Sequence, residues 1–398
     1  MQARRVLIVG AGIAGPVLAY FLRRSGMEPV VVERAPNLRA TGQTVDVRGA
    51  GREVVRRMGV EDAIRERLTH EDGLAFVDAD GRTRAAFPSD SFGGQGLVSE
   101  IEILRGELVQ VLHERARADA EYIFDDHPGT ITDHGDRVAV SFASGLERDF
   151  DLVIGADGIR SRTRRLIFPE ESAIRHLDMY AAYFTVPYSE TDGRWARWYN
   201  APGARVVMLR PDNHGTTRAF LSFRTTQRGH ENLEVEAQKS LLRRVFADAG
   251  FEAPRVLASM DAADDFYFEA IGQVKLRRWS KGRVALVGDA GYCASLVSGM
   301  GTSLALVGAY LLAGELGLRD DHTEAFASYE RRMRPYVDKA QKIFPGTLNF
   351  ASPRTRAGIA VSRAVLGFAA RPAISSLLGK LTATKTADKI SLPDYPVG

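Results

Sequence analysis

Val6-Leu7-Ile8-Val9-Gly10-Ala11-Gly12-Ile13-Ala14-Gly15 joins an apolar run to a glycine-rich turn within ten residues. Four consecutive apolar residues after Arg4-Arg5 read as a strand buried on both faces, and three spaced glycines then break it before a helical pattern resumes. Gly10 permits the tight turn, Gly12 lets backbone approach a pyrophosphate, and Gly15 lets the next helix pack close to the strand. That helix, with Ala14 in its first turn, offers free N–H groups and a positive dipole end to phosphate. A second apolar run, Pro29-Val30-Val31-Val32, ends at Glu33, placed to accept hydrogen bonds from a ribose diol. An isolated glycine triplet would be an ordinary turn. Strand, helix, strand and acidic terminus in register make a dinucleotide-binding βαβ unit. Arg34, directly after Glu33, is a candidate contact on the adenosine side.

The chain around this unit has 398 residues, 45% of them hydrophobic and 26% charged, enough for two layered domains with substantial cores. Lys and Arg number 53 against 50 Asp and Glu, and no run of five or six like charges occurs, so no nucleic-acid partner is indicated. The single cysteine, Cys293, excludes an internal disulfide and fits a reducing, cytoplasmic setting. No two of the eight histidines lie within four positions, so no metal motif can be drawn. Arg4-Arg5 before the uncharged stretch Val6 to Leu22 superficially resembles a signal peptide, but the glycine spacing and the following strand explain it better. The apolar segment Ala357 to Leu381 is interrupted by Arg363, Arg371 and Lys380. It reads as a helix covering a groove, with surface contact to a membrane as the lesser reading and no stable insertion.

Taken in order, Gly42 to Gly49 reads as a strand or loop approaching a ligand, with Arg48 a candidate phosphate contact. Gly51 to Arg67 has helical spacing, and Leu74 to Phe87 alternates around Asp80-Gly81 as a hairpin. Glu100 to Ala118 reads as an amphipathic helix with Arg105 near its start, and Tyr122 to Phe124 with Val138 to Phe142, turn at Ser144-Gly145, as a second hairpin. Leu152-Val153-Ile154 then forms a buried parallel strand that delivers Asp157 and Gly158 to its carboxyl end, where ligands bind in open α/β sheets. Arg160, Arg162, Arg164 and Arg165 crowd this site, and a solvated, salt-bridged surface accounts for them equally well. From Tyr180 to Phe223 the pattern becomes alternating and aromatic-rich, as in a separate sheet domain. Trp195, Arg197, Trp198 and Tyr199 are its candidate contacts to a flat apolar substrate. A third buried strand, Val284 to Val287, ends in Gly288-Asp289. The loop holding Gly299 and Gly301 follows, and then a helix from Thr302 whose N-terminus faces whatever Asp289 contacts.

With these sites in order, the sequence resembles the aromatic-ring hydroxylase family of FAD-dependent monooxygenases, the para-hydroxybenzoate hydroxylase fold. Within it the closest likeness is to the branch of tetracycline-inactivating and antibiotic-tailoring enzymes. Gly10, Gly12, Gly15 and Glu33 match the ADP-binding turn, Arg105 a FAD-touching arginine, and Asp157-Gly158 with Arg160 and Ser161 the DG motif associated with FAD and NAD(P)H. Gly288-Asp289 matches the motif whose Asp binds the flavin ribitol, and Tyr329-Glu330 with Arg334-Pro335 a downstream signature. Four positions depart: the family's His and Pro after Gly-Asp-Ala are Tyr292 and Leu296 here, and Gly299-Met300-Gly301-Thr302-Ser303 replaces the usual Gly-Gln-Gly-x-Asn at Met300 and Ser303.

The resemblance implies an α/β fold with a Rossmann-like FAD-binding domain (residues 1–72, 97–172 and 276–345), a β-sheet substrate domain (73–96 and 173–275) and a C-terminal helical segment (346–398). It also implies that NAD(P)H reduces FAD, that O2 gives a flavin C4a-hydroperoxide, and that one oxygen passes to an aromatic or polyketide-like small molecule. The flavin carries that chemistry, so no catalytic side chain and no metal are assigned. A reductase of the same fold acting without oxygen insertion, and a non-catalytic flavin-fold binding protein, are the alternatives.

Overall fold

Side by side in one sheet lie the four strands that carry the sequence motifs. The computed structural model describes residues 4–38, 42–89, 91, 100–371, 374–375 and 390–396. Within them a six-stranded sheet runs in the order Ser280–Lys281, Val284–Leu286, Leu152–Gly155, Arg5–Val9, Glu28–Glu33, Glu121–Phe124. The inner strands are parallel, with Val9 level with Gly155 on one side and Val32 on the other, and Gly155 level with Leu286. Alternate residues enter different cores, as a strand's two-residue period requires. Val6 and Ile8 pack under the helices, whereas Leu7 and Val9 meet a three-stranded antiparallel sheet through Val138, Val140 and Phe142. Val6, Leu7 and Ile8 are fully buried, and each such side chain stabilises the fold by about 1.5–3 kcal/mol.

The helix Gly301–Leu318 is long and apolar enough to cross a membrane. It lies instead within the helical layer, against Ala14–Arg24, Gly49–Arg57 and His322–Ala340. Its buried Glu315 is neutralised by Arg319 and Arg332 and accepts a hydrogen bond from the Tyr395 hydroxyl at 2.6 Å.

A seven-stranded sheet forms the second layer system, in the order Tyr267–Gln273, Arg175–Pro187, Thr216–Arg224, Arg205–Pro211, Trp195–Ala201, Gly73–Val77, Thr83–Pro88. Helices Val235–Phe246 and Ala253–Ser259 cover one of its faces. Helix Arg356–Ala369 lies against its Thr83–Pro88 and Trp195–Ala201 strands. The Ile390–Tyr395 stretch returns to the helical layer, where Tyr395 packs on Gly314.

Three local expectations change. The segment Glu100–Ala118 is not one helix: Glu102–Leu104 is a strand paired antiparallel with Thr44–Asp46, and the helix starts at Arg105. Ile103 and Leu104 fit a helical stripe equally well, and only the partner strand decides. Tyr122 and Phe124 leave the hairpin to extend the parallel sheet beside Glu28–Glu33. Gly51–Arg67 splits into Gly49–Arg57 and Glu61–Arg65 at Gly59, whose φ of +71° no helix accommodates. The expected boundary at residue 97 lies outside the described residues.

Candidate active site

Because the inner strands are parallel and in register, their carboxyl ends gather Gly10, Glu33, Asp157 and Asp289 along one edge, the position where open α/β sheets bind ligands. At Gly10 the backbone takes φ +109°, and a Cβ there would lie 2.7 Å from the Ala156 carbonyl oxygen. A Cβ on Gly15 would overlap the Gly10 carbonyl oxygen, so the turn and the helix close tightly. At Gly12, by contrast, a Cβ would meet only the Arg105 guanidinium, at 3.8 Å. The loop is thus sealed toward the sheet and open toward Arg105. The Glu33 carboxylate is held by the N–H groups of Ala11 at 2.9 Å and Ala35 at 3.0 Å. Arg34 is exposed beside it.

Arg105 opens its helix, and its backbone N–H donates to the Gln43 carbonyl at 3.0 Å, which fixes the arginine over the glycine loop. Arg48 pairs with Asp46 at 2.8 Å and precedes helix Gly49–Arg57, while its carbonyl accepts from the Ser303 hydroxyl. Neither helix Ala14–Arg24 nor helix Gly301–Leu318 has a side-chain cap or a first-turn acid. Both therefore present free N–H groups and a positive dipole end. Gly299 takes φ +63°, and a Cβ on it or on Gly301 would meet nothing within 4 Å; Thr302, in the first turn, is buried. Ser295, before this loop, is a non-glycine residue at φ +78°, backbone strain of the kind found at ligand-binding loops.

The DG turn works differently from a simple ligand contact. Asp157 accepts from the Ser161 hydroxyl and from the Thr163 N–H and hydroxyl, so both its oxygens brace its own loop, with Gly158 at φ +76° beside it. Arg164 is not on a solvated surface. It is buried, donating to the carbonyls of Ala290 at 2.9 Å and Ile159 at 2.6 Å, and it ties the DG turn to the Gly288-Asp289 turn. Burial pushes the Asp289 carboxyl up, against the pull of the Cys293 thiol and of Arg105 and Arg164. Gly288, at φ +64°, makes that turn. Tyr292 points into the core, bonded to the Tyr329 hydroxyl at 2.8 Å and packed on Trp279, so its ring is turned away from the loop surface. Leu296 is exposed.

The period of two separates the four aromatic-stretch candidates. Trp195, Arg197 and Tyr199 face the helix-covered side, where Tyr199 and Arg197 meet Phe251 and Arg197 pairs with Asp192. Trp198 faces the other side with Tyr183, Met208 and Phe220, and Val297 of the Leu296–Ser298 turn packs on that group. Only Trp198 of the four therefore looks toward the loop that precedes Gly299. On the same face, Glu269 accepts from the Tyr267 hydroxyl at 3.2 Å, and the buried Tyr183 hydroxyl also faces Glu269. Burial pushes the Glu269 carboxyl up, opposed by the Tyr267 bond and Arg160 and reinforced by Asp289. Sequence reasoning missed this cluster, although Tyr267, Glu269 and Ile271 alternate onto one face.

The two layer systems are pinned by Arg210, which holds Glu71 at 2.8 Å and also bonds Glu102. Burial and the neighbouring Glu71 and Asp46 carboxylates raise the Glu102 carboxyl well above its usual range, against the pull of Arg210.

The site's donor set fits FAD: an open glycine loop under an arginine, a fixed carboxylate for a ribose, and a second uncapped helix end beside a buried aspartate. Arg105→Ala is expected to weaken FAD binding by about 1.5–3 kcal/mol, roughly ten- to a hundredfold, in a fluorescence titration of the apoprotein. Comparison with known proteins agrees. The family model described as FAD binding domain matches residues 3–342. The FAD-dependent monooxygenase asL6 of Sarocladium schorii is 36% identical over 417 residues, 98% of each chain. A flavin-dependent monooxygenase of Legionella longbeachae is 40% identical over 340 residues, 85% of this chain and 87% of its own. The crystal structure of tetracycline destructase Tet(51) superimposes with a TM-score of 0.82 at 33% identity, covering 99% of this chain and 100% of that one. On that agreement along nearly the whole chain, the protein belongs to the FAD-binding family of flavin-dependent monooxygenases, and FAD is its cofactor.

Proposed function

We propose that this chain hydroxylates an aromatic or polycyclic, polyketide-like small molecule, with NAD(P)H as reductant and O2 as the oxygen source, in the cytoplasm. The observation that carries the substrate class is the aromatic face of the seven-stranded sheet, where Trp198, Tyr183 and Phe220 stand against the Val297 turn. The likeness to asL6 and to Tet(51) supports the same reading. FAD, when bound, supplies the redox and oxygen chemistry. In this reading Gly10, Gly12, Gly15, Glu33 and Arg105 hold its ADP portion, Asp289 and the Gly301 helix end its flavin half, and the sheets divide into the FAD-binding and substrate domains expected from the sequence. Uncapped amides at the Gly301 helix favour negative charge beside them. The apolar sheet face orients a flat ring and excludes water.

Glu269, with Tyr267 and Tyr183, is the polar end of that face, placed to accept a proton from a substrate hydroxyl. A carboxyl raised by burial accepts that proton only once ionised, so kcat/KM should climb with pH through a value above the usual glutamate range. Glu269→Gln is expected to flatten this limb while leaving FAD content unchanged; an identical pH profile in the variant would remove Glu269 from the reaction. The function itself is tested by ligand-stimulated, oxygen-dependent NAD(P)H consumption across a panel of polycyclic phenols. Trp198→Ala should raise KM about tenfold or more for any substrate found, and Trp195→Ala should leave it nearly unchanged. Equal effects of the two would contradict the assignment of faces. Oxidation of NAD(P)H by an unsaturated substrate without oxygen uptake would favour a reductase.

A further inference from the structure

Helix Arg356–Ala369 is amphipathic the wrong way round for a surface helix. Its inward side holds Ile359, Ser362, whose hydroxyl donates to the Phe350 carbonyl, and Arg363, which donates to the Val77 carbonyl at 3.2 Å. Its outward side is made of Ala357, Ala360, Val361, Ala364, Val365 and Phe368, all exposed and all apolar. Val361, Val365 and Phe368 are 64%, 49% and 54% exposed, at positions one helical turn apart. A solvated helix would carry its charges there. Here they stand at the ends, as exposed Arg354, Arg356 and Arg371. The surrounding sequence has one sign: between Asp338 and Asp388 lie eight Lys and Arg and no Asp or Glu. This stretch more than accounts for the net charge of +3 of the whole chain.

We propose that this face docks the protein reversibly on an anionic lipid bilayer. An apolar stripe bounded by arginines, on a helix about 21 Å long, matches an interfacial helix lying in the headgroup plane. The absence of acidic residues suits an anionic surface, where each Lys or Arg adds attraction. A second copy of the chain fits less well, because a twofold contact would set these arginines against one another. The helix lies on the strands Thr83–Pro88 and Trp195–Ala201, so docking would bring the substrate sheet to the bilayer, where apolar polycyclic molecules partition.

The test is co-sedimentation of the FAD-loaded protein with phosphatidylcholine vesicles and with vesicles containing about 30% phosphatidylglycerol, at low and high salt. The expected result is binding to the anionic vesicles alone, weakened by salt, and reduced about tenfold or more in V365D/F368D. The bound flavin's visible spectrum reports folding and FAD occupancy in each sample, so a failure of the FAD assignment is seen separately. No binding to anionic vesicles at low salt by flavin-loaded protein would overturn the proposal, as would binding that V365D/F368D leaves unchanged. A wild-type dimer that V365D/F368D converts to monomer, without lipid binding, would also overturn it and assign the face to a second copy.

Discussion

Gly15→Ala protein is expected to purify without flavin. The added methyl would overlap the Gly10 carbonyl oxygen, and Gly10 cannot retreat, because its N–H is bonded to the Val32 carbonyl at 2.7 Å and Ala156 lies behind it. Relief must come from moving the helix Ala14–Arg24 away from the strand, which costs about 1–3 kcal/mol in packing and displaces the amides that would meet the pyrophosphate. Loss of those amides adds to the deficit, and about 3 kcal/mol in total is more than a hundredfold in FAD affinity. Gly12→Ala separates the two effects. Its methyl has room in the protein but stands where backbone must approach the ligand. FAD affinity should therefore fall in this variant while the apoprotein's denaturation midpoint stays near that of wild type. Flavin absorbance per protein, with urea denaturation of the apo forms, measures both. Full flavin content in Gly15→Ala would contradict the placement of the ADP portion at this loop.

The second large effect is expected at Arg210. Glu71 and Glu102, whose side chains are 1% and 6% exposed, share this one guanidinium. Arg210→Leu takes from these two buried carboxyls the one donor and positive charge they share, and stability should fall by about 3–5 kcal/mol. Glu102→Gln should be far milder. The folded-state value of Glu102 is raised, so the protein keeps that proton where the unfolded chain has lost it. Its contribution is present at acid pH and is lost as pH rises through the raised value. Denaturant midpoints from acid to mildly alkaline pH should thus decline less steeply in Glu102→Gln than in wild type. A steeper decline would mean that the carboxyl is ionised in the folded protein and that the pull of Arg210 outweighs its burial.

How much of this was legible in the sequence follows from the range of the interactions. Parallel strands buried on both faces must be apolar throughout, so Val6 to Val9, Val30 to Val32, Leu152 to Ile154 and Val284 to Leu286 stood out, and each ended at its motif. The recognised family order then supplied FAD. The arginine cluster at Arg160 to Arg165 was ambiguous because charge in sequence says nothing of burial, and Arg164 is buried only because the carbonyls of Ala290 and Ile159 receive it. Trp195 to Tyr199 looked like one group, but a strand divides consecutive residues between two faces. The Arg210 junction joins residues 139 and 108 positions apart, and no local pattern signals such a pair. The departures at Tyr292 and Leu296 were visible as letters, whereas the inward turn of Tyr292 required its partner Tyr329.

Isotopically labelled dioxygen shows whether this chain inserts an oxygen atom. FAD-loaded protein, NAD(P)H and a polycyclic phenol that stimulates NAD(P)H oxidation are incubated under labelled O2, and the product is weighed by mass spectrometry. The expected product carries one labelled oxygen atom per molecule. A substrate reduced or left unchanged while NAD(P)H is consumed, with no label in any product, would contradict oxygen insertion.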